Sequence, residues 1–199
     1  MSDTGLRYSD AITSGHSIVR PWGLIGGIAL IFAAVAGPAV AMGGPPDAVH
    51  VIIALALGSG LVALASIDLA MLRLPDPLTY SLLAGGLMSA AASPSRLTAA
   101  VLGAALGFGL LWSVAAGYRG LRGNDGLGLG DAKLLAAAGA WVGAEALPTV
   151  LLIASVLALA SAAVWHVAGT KMHAQTRIPF GPFLAFGFWL AWLYGPGIV

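Results

Sequence analysis

Cysteine is absent from the 199 residues, and charge is scarce: aspartate, glutamate, lysine and arginine together make up 9% of the chain. Without cysteine there can be no disulfide, no thiolate nucleophile and no cysteine-ligated zinc. A formal net charge of +1 leaves no basic stripe to neutralise a run of phosphates, which sets nucleic acid aside as a partner. The scarcity of charge also excludes water as the main solvent. A chain that is 59% hydrophobic, with a mean hydropathy of +0.93, carries more apolar surface than a soluble domain of this size can expose. No cleavable signal peptide is apparent, because Met1 to Arg20 is polar and the first apolar run is too long for a signal core. The histidines, His16, His50, His166 and His173, show no pair at metal-ligand spacing on one helix face, so neither a metal nor another cofactor is expected.

What the chain does contain is apolar sequence in long runs. Cut at charged, Gly/Pro-rich or Asp-containing breaks, these runs fall at about 22–42, 48–67, 77–92, 97–117, 131–144, 147–168 and 178–195. A spanning helix needs roughly 20 apolar residues, so the reading is an all-α, polytopic transmembrane bundle of about seven spans. Residues 1–20 form a polar tail and residues 21–199 the membrane domain. The fifth run is short and is separated from the sixth only by Glu145 and Pro148, which leaves open one kinked helix or a re-entrant pair. Small residues recur in Gly103–Gly109 and Ala136–Ala140, and they predict close helix packing in lipid. Trp22, Tyr118, Trp165, Trp192 and Tyr194 stand near run ends, where amphipathic rings settle among headgroups.

Lysine and arginine set the orientation. With seven spans, Arg7, Arg20, Arg73, Arg119, Arg122, Lys133, Lys171 and Arg177 share the amino-terminal side, and Arg96 alone falls on the other. That asymmetry makes the amino-terminal side cytoplasmic.

Four of the eight carboxylates, Asp68, Asp76, Asp125 and Asp131, collect at the cytoplasmic ends of spans or in cytoplasmic loops, whereas Asp47 and Glu145 fall outside and Asp3 and Asp10 lie in the tail. Asp68 follows the apolar stretch Ala48–Ile67 and is itself followed by Leu69–Ala70–Met71–Leu72–Arg73–Leu74–Pro75–Asp76. Read alone, it is a helix-end charge that snorkels or pairs with Arg73. Asp131 ends Gly126–Leu127–Gly128–Leu129–Gly130–Asp131, and read alone it is an N-cap after a flexible loop; the spacing fits no nucleotide-binding fingerprint. Together they say more. Two carboxylates at the same depth, each on its own span, can face one another, and like charges that close hold one proton between them. Such a pair is an acid and a base in one site, the requirement for aspartic hydrolysis of a peptide bond.

At this point the sequence resembles a known family. Asp68 with Leu74–Pro75–Asp76 and Leu78–Thr79, then Gly128–Leu129–Gly130–Asp131–Ala132–Lys133–Leu134, and finally Ile178–Pro179–Phe180–Gly181–Pro182–Phe183–Leu184, are similar in kind and order to the type IV prepilin peptidases, which are GxGD intramembrane aspartic peptidases. The resemblance implies Asp68 and Asp131 as the catalytic pair. It implies supporting roles for Gly128, Gly130, Lys133, Pro75, Asp76, Pro179 and Gly181, with Asp76 as an N-cap of the third span and Lys133 able to meet lipid phosphate or substrate backbone. Asp125 matches no motif position. Larger members carry a cysteine-paired domain linked to N-methylation, and the chain has neither the cysteines nor the space for it, so the resemblance implies peptidase activity alone. The short members associated with Flp-type or tight-adherence pili are the nearest in form.

The activity this implies is removal of a short basic leader from a prepilin-like membrane substrate at the cytoplasmic face of the plasma membrane, with the bilayer as the other partner; oligomeric state is not legible. A rival reading uses the same aspartates in a small ion or proton-coupled transporter or channel, and predicts discontinuous helices and polar groups near the midplane. A purely structural membrane subunit predicts tolerance of aspartate replacement. A serine peptidase is poorly supported, since no Lys or His accompanies Ser66 in sequence.

Overall fold

The computed structural model describes residues 26–34, 36–37, 48–122, 128–167 and 179–195. Asp125, Gly126, Ile178, Lys171, Arg177 and the tail 1–20 lie outside the described residues, as do both ends of the 22–42 run. Helices make up nearly all of what is described: α1 (Ala48–Met71), α2 (Asp76–Ala90), α3 (Pro94–Arg122), α4 (Leu129–Val142), α5 (Leu147–Val167) and α6 (Gly181–Tyr194), with a single 3-10 turn at Ala144–Ala146. A helical stretch at 26–34 precedes α1. No strand occurs among the described residues, and the protein is an all-α membrane bundle.

Local chemistry sets most of the helix ends. Proline in the first turn starts α2 and α6, where a missing N–H costs nothing. Gly143 and Gly195 end α4 and α6 at φ 78° and 77°, the left-handed region that a side chain would strain, and each N–H returns to the carbonyl four residues back, Gly139 and Ala191. Gly143 settles the fifth and sixth runs as two separate helices, α4 and α5. α3 is longer than the 97–117 expected, because the helix continues through the basic Tyr118–Arg122 end after hydropathy falls.

Length sorts the helices into two groups. α1, α3 and α5 have 24, 29 and 21 residues, or about 36, 43 and 31 Å at 1.5 Å per residue, enough to cross a hydrocarbon core of about 30 Å. These three are long and apolar enough to span a membrane. α2, α4 and α6, at 15, 14 and 14 residues, reach only about 21–23 Å. α4 is also wrapped by protein: Ala132 and Leu134 to Ala140 are all buried, and α2, α3 and α6 pack around it.

Glycines make that enclosure possible. Gly103 of α3 and Gly139 of α4 meet backbone to backbone, so a methyl on either would collide with the other's carbonyl oxygen, and a methyl on Gly107 would sit 2.5 Å from the Leu135 oxygen. The far end of the core is aromatic. Trp189 stacks on Trp192 at 5.5 Å and donates its indole N–H to the Phe32 carbonyl at 3.1 Å, while Trp192 meets Trp141 edge-on at 6.3 Å. Trp192 is therefore partly buried in an aromatic row with Trp189 and Trp141.

Candidate active site

Three chain segments converge at one end of the bundle. Asp68 lies in the last turn of α1, Asp131 in the first turn of α4, and Gly181 is the first residue of α6. Between α1 and α2 the chain crosses a linker, 72–75, that opens with Leu72 at φ 53°, a left-handed conformation unusual for a side chain with a Cβ. The strained residue closes the helix: its N–H donates to the Asp68 carbonyl at 2.8 Å, and α1 ends three residues past the acid, at Met71.

Asp68 and Asp131 are both buried, with 4% and 7% of their surfaces exposed. The Gly181 N–H donates to Asp68 Oδ2 at 3.1 Å, and a Cβ at Gly181 would lie 2.6 Å from that oxygen, so only glycine lets α6 approach the carboxylate this closely. Two helix amino termini, of α4 and α6, thus bring partial positive charge to the site. Asp131 Oδ1 is buried and accepts no hydrogen bond from the protein, a condition met by few buried polar atoms and found where chemistry needs a free oxygen. Asp131 also lies within electrostatic reach of Asp68.

Leu74 ties the motif segments together. A Cβ at Gly130 would stand 3.0 Å from the Leu74 Cβ, and one at Gly181 would stand 3.1 Å from a Leu74 methyl, so both glycines make room for this one side chain. Gly128, in contrast, has φ −71° and would place a Cβ 3.7 Å from Asp131 Oδ2, an ordinary contact; neither a special φ nor a close approach explains it. Pro75 is the N-cap of α2, and its carbonyl accepts the Thr79 N–H at 3.3 Å. Pro179 is half-buried just ahead of α6.

Asp76 does not cap α2 as expected: it is the first helical residue, no side chain caps that end, and its Oδ1 instead accepts a hydrogen bond from Lys133 Nζ at 2.5 Å. Lys133 is therefore engaged within the protein. The Tyr80 ring, 5.1 Å from the same ammonium, completes the cluster. Sequence reasoning missed Tyr80 and the bridging part of Leu74. Leu74 stood inside the quoted motif; Tyr80, four residues after Asp76, was marked only by that spacing. Among the described residues, no three His, Asp or Glu side chains assemble as a metal-ligand set.

A helical membrane bundle with two buried aspartates at one end defines the class, and comparison with known proteins gives the family. Residues 55–163, which include both aspartates, match the type IV leader peptidase family. The chain is 44% identical over 146 residues to the prepilin leader peptidase/N-methyltransferase of Aeromonas hydrophila, covering 73% of the chain and 50% of that protein. It is 45% identical over 163 residues to the protein of the same name from Burkholderia pseudomallei, covering 80% and 51%, and 39% identical over 149 residues to that of Xanthomonas campestris, covering 73% and 51%. The chain belongs to the type IV leader peptidase family, and it spans about half the length of these relatives. No solved structure matches it.

Proposed function

We propose that the protein is an intramembrane aspartic endopeptidase that removes the short basic leader from prepilin-like substrates, with Asp68 and Asp131 as its catalytic dyad. The observation that carries this reading is the burial of two aspartates from distant motifs at one end of the bundle, one of them with an oxygen that no protein group satisfies. Family membership supports the substrate class. The amino-terminal tail and the dyad are assigned to the cytoplasmic side of the plasma membrane by the bias of lysine and arginine.

The chemistry needs a single proton shared by two carboxylates. One, ionised, takes a proton from water as the water oxygen attacks the scissile carbonyl; the other, protonated, gives its proton to the carbonyl oxygen. The resulting diol collapses as the second carboxylate takes a proton back and the first protonates the departing amine. The C–N bond breaks and the dyad returns to its starting state. Gly181 and the helix amino termini hold the negative charge that remains.

The test is leader removal by purified protein in detergent from a prepilin-like substrate, scored by a size shift and by the new amino terminus. Asp68→Asn and Asp131→Asn, each expressed to the wild-type level, are expected to abolish cleavage, because an amide supplies neither the base nor the acid. Complete processing by either variant would overturn the assignment.

A further inference from the structure

Two residues after Asp131, the Lys133 ammonium crosses from α4 to α2, where it donates to Asp76 Oδ1 and stands over the Tyr80 ring. Asp76 and Tyr80 are one turn apart, so carboxylate and ring share a face of α2 and close on the same cation. This cluster is not core. The Asp76 side chain is 56% exposed and that of Lys133 24%, and Tyr80 is also exposed. An exposed pair of this kind adds little to stability, so the closing of two groups on one ammonium calls for another reason.

Position supplies one. α2 begins where the 72–75 linker ends, and the linker begins four residues past Asp68. From its inner side Leu74 packs on Gly130 and Gly181. The glycine contact with α3 holds the Gly139 end of α4, and the ion pair, backed by a ring, fixes a second point near its start. Residues two apart on a helix are rotated by about 200°. Pinning Lys133 to α2 therefore turns Asp131 to the opposite side of α4, away from the exposed cluster and into the buried space it shares with Asp68.

We infer that Asp76, Tyr80 and Lys133 form a latch that sets the rotation and depth of Asp131 relative to Asp68. They are positioning residues, which act on the reaction through Asp131 and do not touch the scissile bond. The inference rests on the peptidase reading above. It adds a part for an exposed tyrosine outside the three motifs, and it gives the lysine of the Gly–Leu–Gly–Asp–Ala–Lys stretch a partner inside the protein.

The experiment is steady-state cleavage of a purified prepilin-like protein by full-length variants in detergent, with thermal unfolding measured on the same samples. Lys133→Ala and Asp76→Ala are expected to lower kcat tenfold or more, with KM changed less than threefold and the unfolding midpoint close to wild type. Asp76→Asn falls between, because an amide oxygen still accepts from Lys133. Tyr80→Leu falls further than Tyr80→Phe, which keeps the ring. The exchange Asp76→Lys with Lys133→Asp restores most of the lost kcat, a recovery that a lysine bound to substrate could not show.

Single variants that cleave at the wild-type rate would overturn the latch, and so would losses confined to KM that the exchange fails to recover. The exchange variant also covers the case in which a single variant does not fold, since it restores the pair. The two readings fail separately. Cleavage by Asp68→Asn or Asp131→Asn sinks the peptidase assignment, whereas their inactivity together with unimpaired latch variants sinks the latch alone.

Discussion

At the scale of single residues, the tightest fit at the site is between Gly181 and Asp68. A methyl group at 181 would stand 2.6 Å from Asp68 Oδ2 and displace the carboxylate from the N–H it now accepts. A misplacement of about 1 Å can cost on the order of 100-fold in rate, so Gly181→Ala should cut kcat by about that factor; comparing cleavage rates at equal folded protein tests this. Leu72 offers the opposite experiment. Its φ of 53° is disfavoured for any side chain, and the side chain itself is exposed. Leu72→Gly should stabilise the fold by up to about 1 kcal/mol, less the entropy that glycine loses, and Leu72→Val should destabilise it by about 1–2 kcal/mol. Thermal unfolding of the two variants decides the sign. If one proton is shared by Asp68 and Asp131, the cleavage rate should pass through a maximum with pH, falling on the acid side as both carboxylates become protonated and on the alkaline side as both ionise. A monotonic profile would contradict a shared proton.

At the scale of elements, α4 is the piece on which the site depends, and glycines decide how it is held. Gly103→Ala or Gly139→Ala forces a methyl into a backbone oxygen that cannot move aside, and should destabilise the bundle by about 1–3 kcal/mol or more. Gly109→Ala and Gly117→Ala on the same α3 meet nothing within 4 Å and should be neutral, or stabilising by up to about 1 kcal/mol through helix propensity. Unfolding in detergent separates the two pairs. The small-residue packing of α3 on α4 was legible because Gly103–Gly109 and Ala136–Ala140 are written in the composition of the runs. The length of α3 was not, since hydropathy marks where lipid ends and a helix can continue past it. The partner of Asp76 was also hidden: a carboxylate just inside a helix start reads as a cap, and only the crossing of α2 with α4 brings Lys133 within 2.5 Å of it. The aromatic row was hidden as well: the place of Trp192 near a run end does not reveal that its ring stacks on Trp189, one turn back on α6.

At the scale of the whole molecule, the ends of α1, α4 and α6 that carry the three motifs lie together at one end of the bundle, with Leu74 of the linker between them. The orientation of the bundle remains a proposal with a direct test, which the absence of native cysteine makes clean. A cysteine introduced at the exposed Ser95, in the first turn of α3, should react with a membrane-impermeant maleimide added to intact cells from which any outer barrier has been removed. One at the exposed Arg73 should react only after lysis. The reverse pattern would put the aspartates on the outer face.

The Gly181 hydrogen bond has one more consequence. Asp68 is made early and α6 last, so a nascent chain already carries both acids before the N–H that steadies Asp68 has been translated. Until α6 docks, Asp68 lacks the backbone N–H that it accepts in the folded bundle. On the proposed reading, a chain that stops short of Gly181 is therefore inactive although it carries both aspartates.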